Sequence, residues 1–214
     1  MGNARLRGGV DPCVGRARFA VTYDYRCPFA RNAHEHVVAA LNAGAPWEVE
    51  LVPFSLTQAH VEDGAAPVWD DPAKAGDLIA IEAGLVVRER APERFLDVHL
   101  ALFAARHDEG RDLRDEEVVA SVLEAHGADP AEVFAAISDG WPRHAFRKAH
   151  EAAVSEHQVF GVPTFVVGAD AVFVRIMTRA GEDPEESRAT IERVLELLVD
   201  HPELNEVKHS TIPR

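Results

Sequence analysis

Strand-like sequence is concentrated at the two ends of the folded part of this chain, before residue 57 and after residue 157, and the stretch between carries helical spacing. A chain of 214 residues fits either one domain with a large insertion or two small domains, and one folding unit with the helical middle as an insertion is the expectation. The first end reads strand, helix, strand. Ala17-Arg18-Phe19-Ala20-Val21-Thr22-Tyr23 is short, apolar-rich and holds β-branched and aromatic residues, as a buried strand does, and it stops at Asp24. Pro28 suits the first turn of a helix in which Ala30, Ala33, Val37, Val38 and Leu41 fall at helical spacing, with Gly44 as its stop. Trp47 to Val52 alternates apolar and acidic side chains with period two, the pattern of a half-buried strand, and Pro53 closes it.

Inside the insertion, helices are predicted to begin near Pro72, Pro92, Asp115, Pro130 and Trp141, where a proline or an acidic residue suits exposed amides and the helix dipole. Beyond it, Pro163–Val167 and Ala171–Ile176 are predicted as a hairpin turning at Gly168-Ala169-Asp170. A last helix is predicted from Pro184 to Val199, with Ile191, Val194, Leu195 and Leu198 on one face. The expected organisation is an N-terminal tail over 1–16, an α/β domain made of 17–56 and 158–200, an all-helical insertion over 57–157, and a C-terminal tail over 201–214.

Composition narrows the function classes. Of 214 residues 47% are hydrophobic and 27% charged, which is globular, and the formal charge of -14 opposes a phosphate backbone or an anionic lipid surface. No nucleic-acid or membrane partner is therefore expected. Arg5, Arg7, Arg16 and Arg18 form a basic stretch with no interleaved aromatics, read as a solvated tail. Met1 to Val21 lacks the apolar core of a secretion signal, and no run of roughly 18 apolar residues occurs, so a cytoplasmic location is expected. Met1-Gly2-Asn3 resembles the start of a myristoylation signal, but Leu6 stands where Ser or Thr is needed. Two cysteines, Cys13 and Cys27, make no disulfide framework and agree with a reducing compartment.

Chemistry concentrates at Tyr25-Arg26-Cys27-Pro28-Phe29-Ala30, which puts a thiol at a helix N-terminus, where free amides and the dipole favour an anion. Such sites can lower a cysteine pKa from ~8.5 to about 3.5–7.5; a free cysteine can equally be an inert core residue. Pro28 tips the balance toward a reactive thiol, since it starts the helix without an orphan amide. Phe160-Gly161-Val162-Pro163-Thr164-Phe165 is a second feature, and by itself it reads as an ordinary trans turn before a strand, because only about 5–6% of X-Pro bonds are cis.

Taken together, strand, Cys-Pro helix, strand, helical insertion, Gly-Val-Pro-Thr-Phe, hairpin and helix resemble the DsbA-like branch of the thioredoxin superfamily over most of the chain. The resemblance implies a thioredoxin-like fold with a large helical insertion, a reactive Cys27, and a cis Pro163 beside it. It also implies that the backbone of Val162 contacts substrate, with Pro28, Phe29 and Thr164 completing the substrate-binding set. The family's Cys-x-x-Cys is here Cys27-Pro28-Phe29-Ala30, and a dithiol oxidase lacking its second thiol stalls at the mixed disulfide. An external thiol must then finish the reaction. Cys13 is a poor candidate for that role, because it precedes the strand whose far end carries Cys27, a span of ~20 Å against the roughly 7 Å that a disulfide allows.

The expected function is a monothiol, thiol-dependent oxidoreductase acting on a disulfide or electrophile, with no tightly bound cofactor and with mycothiol or glutathione as co-substrate. An Ala- and Arg-rich composition, compatible with a high-GC bacterial genome, favours mycothiol. The resemblance also reaches mycothiol-dependent reductases and kappa-type glutathione transferases, so a kappa-transferase-like or isomerase-like enzyme binding glutathione non-covalently is an alternative, and a non-catalytic binding or scaffold module is another; a homodimer fits any of them. Remaining candidates read as structural. His34 and His36 sit two apart on different helix faces and are expected at the surface or boundary, and no metal site is predicted. Tyr23 and Phe29 could form an aromatic wall, while Asp24 opposes thiolate formation and Arg26 favours it.

Overall fold

The computed structural model describes residues 17–211. Strand β1 (Ala17–Tyr23), helix α1 (Pro28–Asn42) and strand β2 (Trp47–Pro53) form the anticipated strand–helix–strand unit. The two strands run parallel, Ala17 opposite Trp47 and Tyr23 opposite Pro53, as a crossover helix requires. Strands β3 (Thr164–Val167) and β4 (Asp170–Phe173) complete a four-stranded sheet of order β2-β1-β3-β4, with both later pairings antiparallel. Helix α8 (Pro184–Asp200) packs along α1 and meets β3 and β4.

The predicted second strand of the hairpin was too long, and the sheet shows why. Thr164 is the first residue of β3 and lies opposite Phe173, so Val174, Arg175 and Ile176 have no strand left to pair with. The Val174 amide instead donates to the Pro163 carbonyl at 3.2 Å.

The insertion contains the single-turn helix α2 (Leu56–Ala59), two 3-10 turns at 68–70 and 72–74, and helices α3 (Gly76–Arg90), α4 (Pro92–His107), α5 (Glu116–Ala125), α6 (Pro130–Ser138) and α7 (Trp141–His157). Pro72 opens a 3-10 turn whose N-cap is Asp71, and the long helix expected there starts four residues later at Gly76. Helices start near Asp115 and Pro130 as expected, with the carboxylates of Asp115 and Asp129 capping α5 and α6. Every residue from Leu78 to Val87 is buried, so α3 is the central rod around which α4, α5, α6 and α7 pack.

Arg18 corrects one expectation: it belongs to β1 and pairs with Glu48 of β2 at 3.2 Å, rather than to a tail. Cys13, Arg5, Arg7 and Arg16 lie outside the described residues. Among the described residues no helix is long and apolar enough to cross a membrane.

Candidate active site

Cys27 occupies the N-cap of α1 in extended conformation, with Pro28 as the first helical residue. The turn leading into it is closed by its own amide, which donates to the Asp24 carbonyl at 3.0 Å. The Val162–Pro163 bond is cis, and the segment before β3 runs against the thiol so that Cys27 Sγ donates to the Val162 carbonyl at 3.2 Å. Residues separated by 135 positions thus meet at the end of β1. Thr164 is turned inward: its amide donates to Thr22 Oγ1 at 2.9 Å and its hydroxyl to the Gly161 carbonyl at 2.8 Å. It holds the segment in place, while Pro28 is exposed and Phe29 half-buried at the opening.

Burial changes the sign expected of the thiol. Cys27 is 8% exposed, and desolvation pushes its pKa above the ordinary thiol value, with the Asp24 carboxylate adding to the rise. The amides of Ala30 and Phe29 and the charge of Arg175 pull the other way and do not prevail. The helix terminus alone favours thiolate, but it acts on a sulfur removed from water.

Arg26 does not supply the help its position suggested. Its backbone amide and guanidinium donate to Asp24 at 2.8–3.1 Å, and Asp24 also accepts from the Leu56 amide at 2.9 Å. The charge of Arg26 is spent on a buried carboxylate, and Asp77 lies 3.8 Å from its other nitrogen.

Behind the turn the two histidines expected near the surface are buried. His36 meets Ser187 Oγ at 3.0 Å and the Thr178 carbonyl at 3.2 Å, between α1 and the chain entering α8. His34 joins a buried chain: Tyr25 Oη to His99 Nδ1 at 2.9 Å, His99 Nε2 to His34 Nδ1 at 2.9 Å, and His34 Nε2 to the Thr22 carbonyl at 3.3 Å. Because that carbonyl can only accept, one direction satisfies every link: His34 Nε2–H donates to it, His99 Nε2–H to His34, and Tyr25 O–H to His99. Burial pushes His34 down to about 4 and His99 well below the ordinary histidine range, so both are neutral. Tyr23 is fully buried beside them and packs in the core instead of forming a substrate wall. His107 adds a further tie, its Nε2–H donating to the Tyr25 carbonyl at 2.8 Å.

On the open side the sequence reading overlooked Arg175, which sat inside a predicted strand. Its guanidinium lies 5.6 Å from the centre of the Phe29 ring and 5.8 Å from that of Phe173. Two clefts of about 640 and 470 Å³ flank the 24–26 turn; Arg26 lines both and Cys27 neither. Among the described residues no group of three or more His, Cys, Asp or Glu is arranged to hold a metal ion.

Solved structures similar to this chain share its fold. The structure of 2-hydroxychromene-2-carboxylate isomerase superposes with a TM-score of 0.60 at 15% identity, covering 88% of this chain and 100% of that one. Pseudomonas aeruginosa DsbA gives 0.55 at 24% identity over 85% and 83%. The cytosolic disulfide reductase DsbM from Pseudomonas aeruginosa, solved with GSH, gives 0.57 at 17% identity over 84% and 100%. At these identities the likeness shows the fold. No curated protein sequence matches the chain. A family model, the DSBA-like thioredoxin domain, matches residues 20–187, a stretch that includes both Cys27 and Pro163. The chain therefore belongs to the DSBA-like thioredoxin domain family.

Proposed function

We propose that this protein is a thiol-dependent oxidoreductase working with a single active-site cysteine. The observation that carries the reading is the contact of Cys27 Sγ with the Val162 carbonyl beside cis Pro163, with Ala30 where a second thiol would stand. In the reaction the Cys27 thiolate attacks one sulfur of a disulfide R–S–S–R; that S–S bond breaks, a Cys27–S–R bond forms, and R–S⁻ leaves and takes a proton from water. A low-molecular-weight thiol gives its proton to water and as thiolate attacks the R sulfur; the Cys27–S bond breaks, Cys27 thiolate is regenerated and a new disulfide leaves, so no other oxidant or reductant is consumed. Glutathione and mycothiol are the proposed thiols, and the cytoplasm, where such thiols are kept reduced, is the proposed location. The DsbM neighbour, cytosolic and solved with GSH, supports this choice.

The raised thiol pKa slows this chemistry without abolishing it. Each pKa unit removes about tenfold in thiolate but returns about threefold in nucleophilicity, so the net loss is about threefold per unit. The same raised pKa, with the isomerase neighbour, favours a second reading in which glutathione is bound without a covalent link.

One experiment separates them: intact-mass analysis of the full chain with glutathione disulfide and mycothiol disulfide over a pH series, with Cys27→Ser as control. A mixed disulfide that forms faster with rising pH, is absent in the control and is released by the reduced thiol is expected. Reduced glutathione bound equally by protein and control, with no adduct, would transfer the assignment to the second reading. Neither adduct nor binding would leave a non-catalytic module.

A further inference from the structure

We propose that Arg175, seated between Phe29 and Phe173 at the opening over Cys27, is a carboxylate-binding residue, so that the substrate or thiol this site takes is an anionic, carboxylate-bearing one. The inference rests on the thiol chemistry proposed for Cys27 and names its substrate class.

Four observations point the same way. In a chain of formal charge -14, no carboxylate among the described residues lies within salt-bridge distance of Arg175. Arg26, Arg31 and Arg179, by contrast, are each engaged: Arg26 by Asp24, Arg31 by Asp108, and Arg179 by Glu35 and Asp108. Glu206 of the C-terminal segment feels the charge of Arg175, yet its own carboxylate is held by Lys208 at 2.6 Å.

Second, the backbone that carries Arg175 is pinned on both sides. The Val174 amide donates to the Pro163 carbonyl at 3.2 Å, and buried Asn32 Nδ2 donates to the Ile176 carbonyl at 3.0 Å. An exposed side chain thereby gains a fixed base beside the cis proline. Third, two aromatic rings orient the guanidinium, and rings that occupy its flanks leave its N–H donors free for a planar, bidentate acceptor. Fourth, the apolar floor continues outward: Phe160 is 71% exposed and lies 5.2 Å from Phe173, and a Cβ on Gly161 would meet that ring at 3.3 Å. A ligand with a carboxylate next to an apolar or aromatic group matches this combination of a fixed cation and open rings.

The rival account is that Arg175 merely favours the Cys27 thiolate, and it predicts equal effects on every reagent. The test is thiol exchange by the full chain, with Cys13→Ser so that Cys27 is the reacting sulfur, using 5,5′-dithiobis(2-nitrobenzoate) and the uncharged 2,2′-dithiodipyridine. Arg175→Gln is expected to slow the anionic reagent about five- to tenfold more than the neutral one, with the gap narrowing in high salt. Arg175→Lys should recover part of the difference. Equal slowing of both reagents overturns the proposal.

A second measurement is independent of sulfur chemistry: titration of the Cys27→Ser variant with 2-nitrobenzoate, followed by the NMR shift of the Arg175 Nε–H. A saturable shift is expected, and its absence overturns the proposal. A saturable shift in a protein that exchanges with neither disulfide would uphold the carboxylate site and sink the thiol chemistry instead.

Discussion

The two sides of the 24–27 turn contrast in how they treat polar groups. On the inner side Tyr25, His99, His34 and the Thr22 carbonyl form a buried chain whose members satisfy one another and stay neutral. On the outer side Arg175 and the Arg179–Glu35–Asp108 ion-pair cluster lie in reach of water. The difference teaches that buried polarity here serves to hold the turn against the insertion, since α4 supplies both His99 and His107, whereas exposed polarity is available to a ligand. Cys27 lies at the boundary, which is why its helix terminus and its burial act in opposite directions.

The largest expected effect that would break this comparison is acid destabilisation. A histidine whose folded pKa lies below its unfolded value binds fewer protons when folded, so stability is complete above pH ~6.5 and falls as the pH drops toward the folded value. For His34, lowered from 6.5 to about 4, that amounts to about 3 kcal/mol over the window, and His99 adds to it in the same direction. Glu82, whose carboxyl is raised by burial, offsets a part at the acid end. Urea unfolding at pH 7 and pH 4.5 checks this; equal midpoints would show that the chain is hydrated and charged.

Next in size is His99→Leu, which strands the Tyr25 hydroxyl and His34 Nδ1 and should destabilise by roughly 2–4 kcal/mol. Adding Tyr25→Phe should recover part of that loss, and a double-mutant cycle that is simply additive would mean the two groups do not communicate. Gly84→Ala sharpens the point from the insertion: a Cβ there would stand 2.8 Å from Tyr25 Oη, too close unless the hydroxyl moves off His99. A loss of about 1–3 kcal/mol in thermal or urea unfolding is expected, whereas a neutral result would show that the turn shifts freely. Smallest is Arg179→Ala on the outer side, at about 1 kcal/mol or less and shrinking in high salt, because water and ions screen an exposed cluster. A larger, salt-insensitive loss would erase the contrast between the two sides.

Much of the architecture is legible in the sequence, for local reasons. Pro28, Pro92, Pro130 and Pro184 open helices where they were expected, and the period-two alternation of Trp47–Val52 lies in β2. Where the reading failed, the deciding partner was distant. His34 and His36 looked like boundary residues because their neighbours in sequence say nothing of His99, 65 positions away, or Ser187, 151 positions away. Val174–Ile176 looked like strand because alternation is local, while pairing depended on where β3 begins. Arg175 was hidden for the same reason. The cis state of Pro163 followed from family resemblance, not from its own turn sequence.

Sequence by itself determined the element types, their order, the helical insertion and the thiol at a helix N-terminus, because propensity, capping and periodicity act over a few residues. Only the tertiary structure decided that the thiol is buried and raised in pKa, that Asp24 takes up Arg26, and that Arg175 is left facing the opening. Desolvation and pairing depend on which distant groups share the same few ångströms, and no local pattern encodes that.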